Sequence, residues 1–528
     1  METSSRRHGV RFLEALEASG SDSERTPLTP TPPAMSEMLF QKVARRVIPL
    51  LWTGYVLNII DRTNLAYAQL QMSTDLHLSA RAFGYASGIF FLSYALMQVP
   101  TNHLISNPEI GAIRVLSTSM VLWGISATIT GVVASEMQLI VLRFCLGISE
   151  SAFFPGVLLY LTRWIPDASS GRALAYFATA ASVGGLLSAA GSGILLSVLD
   201  GVGGVRGWRW LLFVEGVPTI VLGLAAPMLL NERPQEAAWL STTERAELVD
   251  ALASTQLASV ASGSAKGAPR RTLVHTLRET LLTTPCVLFC LTYIVSATIA
   301  NSARFFLPTL LKEVYPSLPP WVLGLIFAVP AALKVVFSPI TATWADAGGA
   351  SRRFRWAWGA YAVAASLFVL AGLGMICLGG WQHGAADAGR TRVASSFLIG
   401  VVALADVLVQ LAIPVFWSLH NSLQDASIRG CSIAVTNSIG NLGGFIGPWV
   451  LGAAHDAVGA AACGHQRHAC TAQWGAGTLL LGGASLLILL PTAAAVRRRS
   501  TPSAPGDGEA GALLRTPSVP ATMKECNE

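Results

Sequence analysis

The chain has 528 residues and a formal net charge of +6, with 52% hydrophobic and only 12% charged residues. That balance, with a mean hydropathy of +0.52, excludes an ordinary soluble surface and places the chain in a membrane. Its basic residues are spread among the loops between apolar runs and form no single patch, which excludes a nucleic-acid partner.

Residues 1–46 carry RRH, SDSERTPLTPTPP and KVARR ahead of any apolar run, and read as a cytosolic tail and not a cleaved signal. A transit peptide is the alternative, against which Glu14, Glu17, Asp22 and Glu24 weigh. Apolar stretches of about 20 residues then recur. Twelve spans are expected near 47–69, 82–106, 114–133, 138–162, 172–198, 210–230, 285–311, 320–345, 356–379, 394–420, 430–457 and 475–495, the eleventh being the least apolar. The expected fold is therefore an all-α membrane protein. Six spans lie in 47–230 and six in 285–495, joined by a cytosolic loop at 231–284 and followed by a cytosolic tail at 496–528. Lys and Arg favour the tails and the loops on their side, which predicts both termini in the cytosol. The membrane is either the plasma membrane or that of an organelle.

In the central loop, Ser241 and Glu244 have capping-box spacing, and Leu248, Val249 and Leu252 follow on one side of a short amphipathic helix. A linker, ASTQLASVASGSAKGAPRR, comes after it. The two halves carry a trace of repetition. Asp167-Ala168-Ser169 between spans four and five matches Asp425-Ala426-Ser427 between spans ten and eleven, and the same offset carries Gly185 onto Gly443.

Charges inside the spans are the candidate site, because an ionisable group at membrane depth is functional by default. LNIIDRTNLAYAQ places Asp61 and Arg62 in the first span, and LRFCLGISESAFFPG places Arg143 and Glu150 seven apart on one face of the fourth. At about 1.5 Å per residue, Asp61 and Arg143 fall level, with Glu150 about 10 Å deeper and Gly147 leaving open space between them. Arg62 and Arg143 are expected anion anchors, since a planar guanidinium grips a carboxylate bidentately and stays charged. Asp61 and Glu150 are expected proton carriers; Asp61 paired permanently with Arg143 is the structural alternative. Asn64 and Gln98 read as substrate contacts or as interhelical hydrogen-bond partners, and Tyr67, Tyr94, Trp417 and Asn441 as cavity-lining groups. Lys334 and Asp406, in the second half, are either a pair or, for Lys334, a further anchor; Arg304 has no assigned role.

Gly440 with Gly444 and Gly443 with Gly447 have the spacing of close helix packing, and GNLGGFIG follows no strand that would make it a dinucleotide loop. Near the last outer loop, Cys463 and Cys470 flank two histidines; a disulfide is expected before a zinc site. No HExxH or GxSxG motif suggests an enzyme, and no metal or organic cofactor is expected.

With these residues in hand, the chain resembles the major facilitator superfamily and, within it, the anion:cation symporter family of tartrate, phthalate, hydroxyphenylacetate and galactonate-type permeases. The similarity lies in IIDRTNLAYAQLQMSTDL, GIFFLSYALMQVP, LRFCLGISESAFFPGVLLYLTRW, GVRGWRWLLFVEGVP, RPQEAAWLSTTER and NSIGNLGGFIGPWVLG. It implies two six-helix bundles related by a pseudo-twofold axis, and symport of a small organic anion with H+ (Na+ being the other ion) by a monomer in contact with membrane lipid. In galactonate-type relatives the positions of Asp61, Arg62, Arg143 and Glu150 are implicated in proton coupling and anion binding. A ligand-sensing protein derived from such a transporter is the other reading. SNPEIGAIR departs from the superfamily's loop between spans two and three, keeping Gly111 and Arg114.

Overall fold

The computed structural model describes residues 35–106, 109–261, 283–379, 388–423, 429–462 and 471–500. The regular structure there is helical: α1 (Glu37–Thr63), α2 (Leu65–Asp75), α3 (Ala80–Ser106), α4 (Ala112–Thr130), α5 (Glu136–Glu150), α6 (Phe153–Thr162), α7 (Asp167–Val198), α8 (Gly207–Leu229), α9 (Thr242–Ala261), α10 (Thr284–Val314), α11 (Pro320–Asp346), α12 (Gly349–Gly379), α13 (Ala388–Leu423), α14 (Arg429–Ala462) and α15 (Thr471–Ser500). Ten helical segments among the described residues are long and apolar enough to cross a membrane, two of them the joined pairs α1–α2 and α5–α6. Large apolar side chains such as Leu122, Val221, Val329, Leu370 and Leu487 point outward. A solvated monomer does not carry an apolar surface of that extent, whereas lipid requires one. The helices α3 and α14 have comparable lengths of 27 and 34 residues but are not among those ten. They pack on one another, and the contact is made by small residues instead of lipid-facing ones.

Two expected spans are interrupted. The first breaks at Asn64, between α1 and α2, and the fourth at Ser151-Ala152, between α5 and α6. Pro155 accounts for the second break, because it lacks an N–H and its ring collides with the carbonyl four residues back. Glu150 thereby becomes the last residue of α5, and Arg62 lies in the last turn of α1.

In the first half α1 packs on α7, α3 on α5 and α4 on α8; in the second, α10 packs on α14, α11 on α13 and α12 on α15. Across the halves, α3 meets α14, α7 meets α11 and α2 meets α10. The end of the molecule remote from Glu37 is closed by glycines at these crossings. Gly84 lies against the Pro448 carbonyl, Gly452 against the Ala80 carbonyl, and Gly193 against Gly324, so a Cβ at any of them would strike backbone. Asp456 of α14 completes the closure by accepting a 2.8 Å bond from the Arg81 N–H in the first turn of α3.

At the opposite end the expected capping box forms: Ser241 Oγ accepts from Glu244 N (3.2 Å) and Glu244 Oε2 accepts from Ser241 N (2.8 Å). The same carboxylate takes Lys42 Nζ of α1 at 2.7 Å. Glu232 bonds the Ala112 and Ile113 N–H groups at the start of α4 and also pairs with Arg163, where Gly111 turns the chain with φ +80°. The region between spans two and three therefore takes its counter-ion from the end of span six. The matched Asp425, Ala426 and Ser427, the Cys463–Cys470 segment, and residues 1–34 and 501–528 of the tails lie outside the described residues; the expected N-terminal tail (1–46) is helical from Glu37, where α1 begins.

Candidate functional site

A cavity of about 390 Å³ lies between the halves, lined from α1, α2 and α7 on one side and from α10, α11, α13 and α14 on the other. Arg62 is its cation from the first half. Its Nε donates to Glu150 Oε2 at 2.7 Å, and Asn58 Nδ2 donates to the same oxygen at 2.9 Å. Asn58 and Arg62 are four apart on α1, so both present to one face and grip a carboxylate that is fully buried. The other oxygen, Oε1, has no partner. Beneath the pair, the Arg62 guanidinium lies 4.8 Å from the Tyr94 ring centroid and 5.3 Å from that of Phe90.

Arg143 stacks on the same Phe90 ring at 4.9 Å, but it is 3% exposed and does not line the cavity. Asp61 is 1% exposed, and neither of its oxygens has a hydrogen-bond partner. The ion pair that forms is therefore Arg62 with Glu150, and the Asp61–Arg143 bridge weighed as an alternative does not form. Gly147 also differs from expectation. It leaves no open space: a side chain there would collide with the Phe90 carbonyl and Ser93, so this glycine exists to let α3 and α5 touch.

Of the other expected residues, Tyr67, Asn441, Lys334 and Asp406 line the cavity. Asn441 Nδ2 is bonded to the Asn437 carbonyl at 2.8 Å, and Lys334 is bonded to Asp406 at 2.8 Å, which decides for the pair over the free anchor. Asn64 is buried at the helix break, and Tyr94 lies under Arg62. Gln98 does not line the cavity; its Oε1 accepts from Ser438 Oγ of the other half at 2.6 Å, so it is an interhelical partner. Trp417 is likewise set back, packed edge-on against Tyr293, and Tyr293 is the aromatic that reaches the cavity.

Sequence reasoning missed several residues. Arg304, given no role, lines the cavity, and its Nη1 donates to Asn301 Oδ1 at 3.2 Å with no carboxylate within ion-pair distance among the described residues. Asn58 was detectable from its spacing of four before Arg62. Glu215 was detectable as a lone acid in the apolar run LLFVEGVPTIVL; it is buried in α8, with Ser192 Oγ of α7 donating to it at 3.0 Å.

An all-helical, multi-pass membrane fold with a charged cavity between two sets of helices defines a membrane transporter. The family model described as Major Facilitator Superfamily matches residues 51–448. A protein of Agrobacterium vitis named for tartrate transport is 30% identical over 422 residues, covering 80% of this chain and 86% of the relative. The inner membrane transport protein RhmT of Escherichia coli is 27% identical over 415 residues, covering 79% and 88%. Among solved structures, a bacterial homologue of the human lysosomal transporter Spinster superposes with a TM-score of 0.64 at 16% identity, covering 88% of this chain and 98% of that one. A D-xylose-proton symporter gives 0.54 at 17% identity, covering 85% and 97%. The chain belongs to the Major Facilitator Superfamily, a family of transporters and not of enzymes.

Proposed function

We propose that this protein is a proton-coupled symporter of a small organic anion, working as a monomer by alternating access with both termini in the cytosol. The observation that carries the reading is the Arg62–Glu150 pair at the wall of the cavity. An incoming carboxylate competes with Glu150 for the Arg62 fork. Once displaced, Glu150 loses the cation that favours its charged form, in a site whose burial favours the neutral one, so anion binding and proton uptake promote each other. Arg304 faces the same space from the second half without a carboxylate of its own. Arg143, stacked across Phe90, holds positive potential behind Arg62.

Twelve spans in two six-helix bundles are supported by the packing. The contacts α1–α7, α3–α5 and α4–α8 recur as α10–α14, α11–α13 and α12–α15 when each span is advanced by six, and the crossings α3–α14 and α7–α11 exchange with one another. The names of relatives that transport tartrate and other metabolites support an organic anion.

The test is uptake into proteoliposomes from a panel of organic acids that includes tartrate. Wild type is expected to accumulate substrate under an inward proton gradient with no sodium present. Glu150→Gln is expected to lose accumulation and keep substrate exchange. Accumulation by Glu150→Gln equal to wild type, or accumulation that follows a sodium gradient alone, would refute the assignment.

A further inference from the structure

The first half buries three carboxylates, Asp61, Glu150 and Glu215, against two arginines, Arg62 and Arg143. Glu150 has Arg62 at 2.7 Å. Two acids then remain for Arg143, and neither is bonded to it. Among the described residues no Lys, Arg or His lies within ion-pair distance of Glu215, whose Oε2 also lacks a hydrogen-bond partner. Asp61 lies within electrostatic reach of Glu150, Glu215 and Arg143. Two buried carboxylates and one buried arginine are one charge short of neutrality, and a bound proton is the smallest group that supplies it.

We infer that Glu215 holds a proton behind the cavity wall and is a proton-holding residue of the transport cycle. The inference rests on the symport reading above and adds to it a residue outside the Arg62–Glu150 pair. Hydroxyl groups lie between the cavity and Glu215. Thr63 and Ser188 line the cavity, and Thr63 Oγ1 donates to Ser188 Oγ at 2.6 Å. One helical turn further along α7, Ser192 Oγ donates to Glu215 Oε1 at 3.0 Å.

The groups that face Glu215 set what its titration senses. The helix α1 contributes Asp61, α7 contributes Ser192, and Asn64 lies beside it at the break before α2. Within α4, which packs on α8, the buried Trp123 side chain acts on Asp61 and carries no charge. Arg143 and Glu150 of α5 act on Asp61.

The experiment is an infrared pH titration of the purified full-length protein in lipid nanodiscs with no substrate present, reading the carbonyl stretch of neutral carboxylic acids. Wild type is expected to show such a band at pH 7, where exposed acids are ionised. Glu215→Gln is expected to lose it, because the carboxyl that holds the proton is gone. Ser192→Ala, which keeps the carboxyl and removes the Ser192 hydrogen bond to Oε1, is expected to shift the band and the pH at which it disappears; this variant also serves if Glu215→Gln folds poorly. No neutral-acid band in wild type, an undiminished band in Glu215→Gln, or an unmoved band in Ser192→Ala would each overturn the inference. Because no substrate is present, these outcomes stand apart from the uptake result for Glu150→Gln.

Discussion

Arg62 serves two acids in turn: Glu150 when the cavity holds no anion and, in the proposed cycle, the substrate when it does. This dual role makes the residue costly to remove. Deleting one partner of a buried pair strands the other charge, at about 3–5 kcal/mol. Arg62→Ala is expected to lower the melting temperature in detergent, and combining it with Glu150→Gln should recover part of the loss, since the stranded charge is then gone. Arg62→Lys keeps the charge but loses the fork, so substrate affinity should fall with little loss of stability. Affinity and melting temperature measured side by side separate the two roles. The charges themselves were legible from sequence, because Asp61, Arg62, Arg143 and Glu150 stand out in apolar runs. Their pairing was not. Which arginine meets Glu150 depends on how α1 and α5 rotate against α3, and Gly147 decides that by the closeness it permits.

At the scale of the element, the two broken spans matter most. Breaks at Asn64 and at Ser151-Ala152 end α1 and α5 beside the Arg62–Glu150 pair, and polar groups freed at a helix end serve a site better than those locked in mid-helix. Pro155 made the second break readable, whereas Asn64 gives no comparable signal in sequence. The short helix α9 was foreseen by its capping box, and the structure shows why it stays in place. Glu244 bonds Lys42, and Glu247 accepts from Ser36 N at 2.7 Å. The Lys42 ammonium and the Ser241 N–H hold the Glu244 carboxyl below its ordinary value. A depressed acid contributes its stability above the unfolded value, about 4.3, and loses it as pH falls through the folded one. Amide exchange in α9, corrected for its intrinsic pH dependence, is therefore expected to quicken below about pH 4. Glu244→Gln should show the quickening already at neutral pH.

For the whole molecule, the governing feature is the closed end built on backbone contact. Gly84, Gly452, Gly193 and Gly324 bring α3 to α14 and α7 to α11 with no side chain between, and Asp456 caps α3 from the opposite half. Such a surface has two arrangements, fitted or parted, and no soft intermediate. Gly452→Leu is expected to part the halves at this end and shift the population toward the opposite-facing state. A cysteine introduced at Ala300, on the cavity wall, should then react faster with a membrane-impermeant thiol reagent applied from the α3–α14 end; an unchanged rate would count against this closure as the gate. The amino-acid sequence by itself determined the solvent, the family and the presence of charges inside apolar runs, because hydropathy and local motifs are properties of the chain taken a segment at a time. Tertiary structure alone decided that Arg62 and not Arg143 pairs with Glu150, that Lys334 is neutralised by Asp406, that Gln98 ties the halves together, and that Glu215 has no cation within ion-pair distance among the described residues. Those are contacts between segments far apart in the chain, and their geometry is set by how closely glycine-bearing helices can approach, which no single segment records.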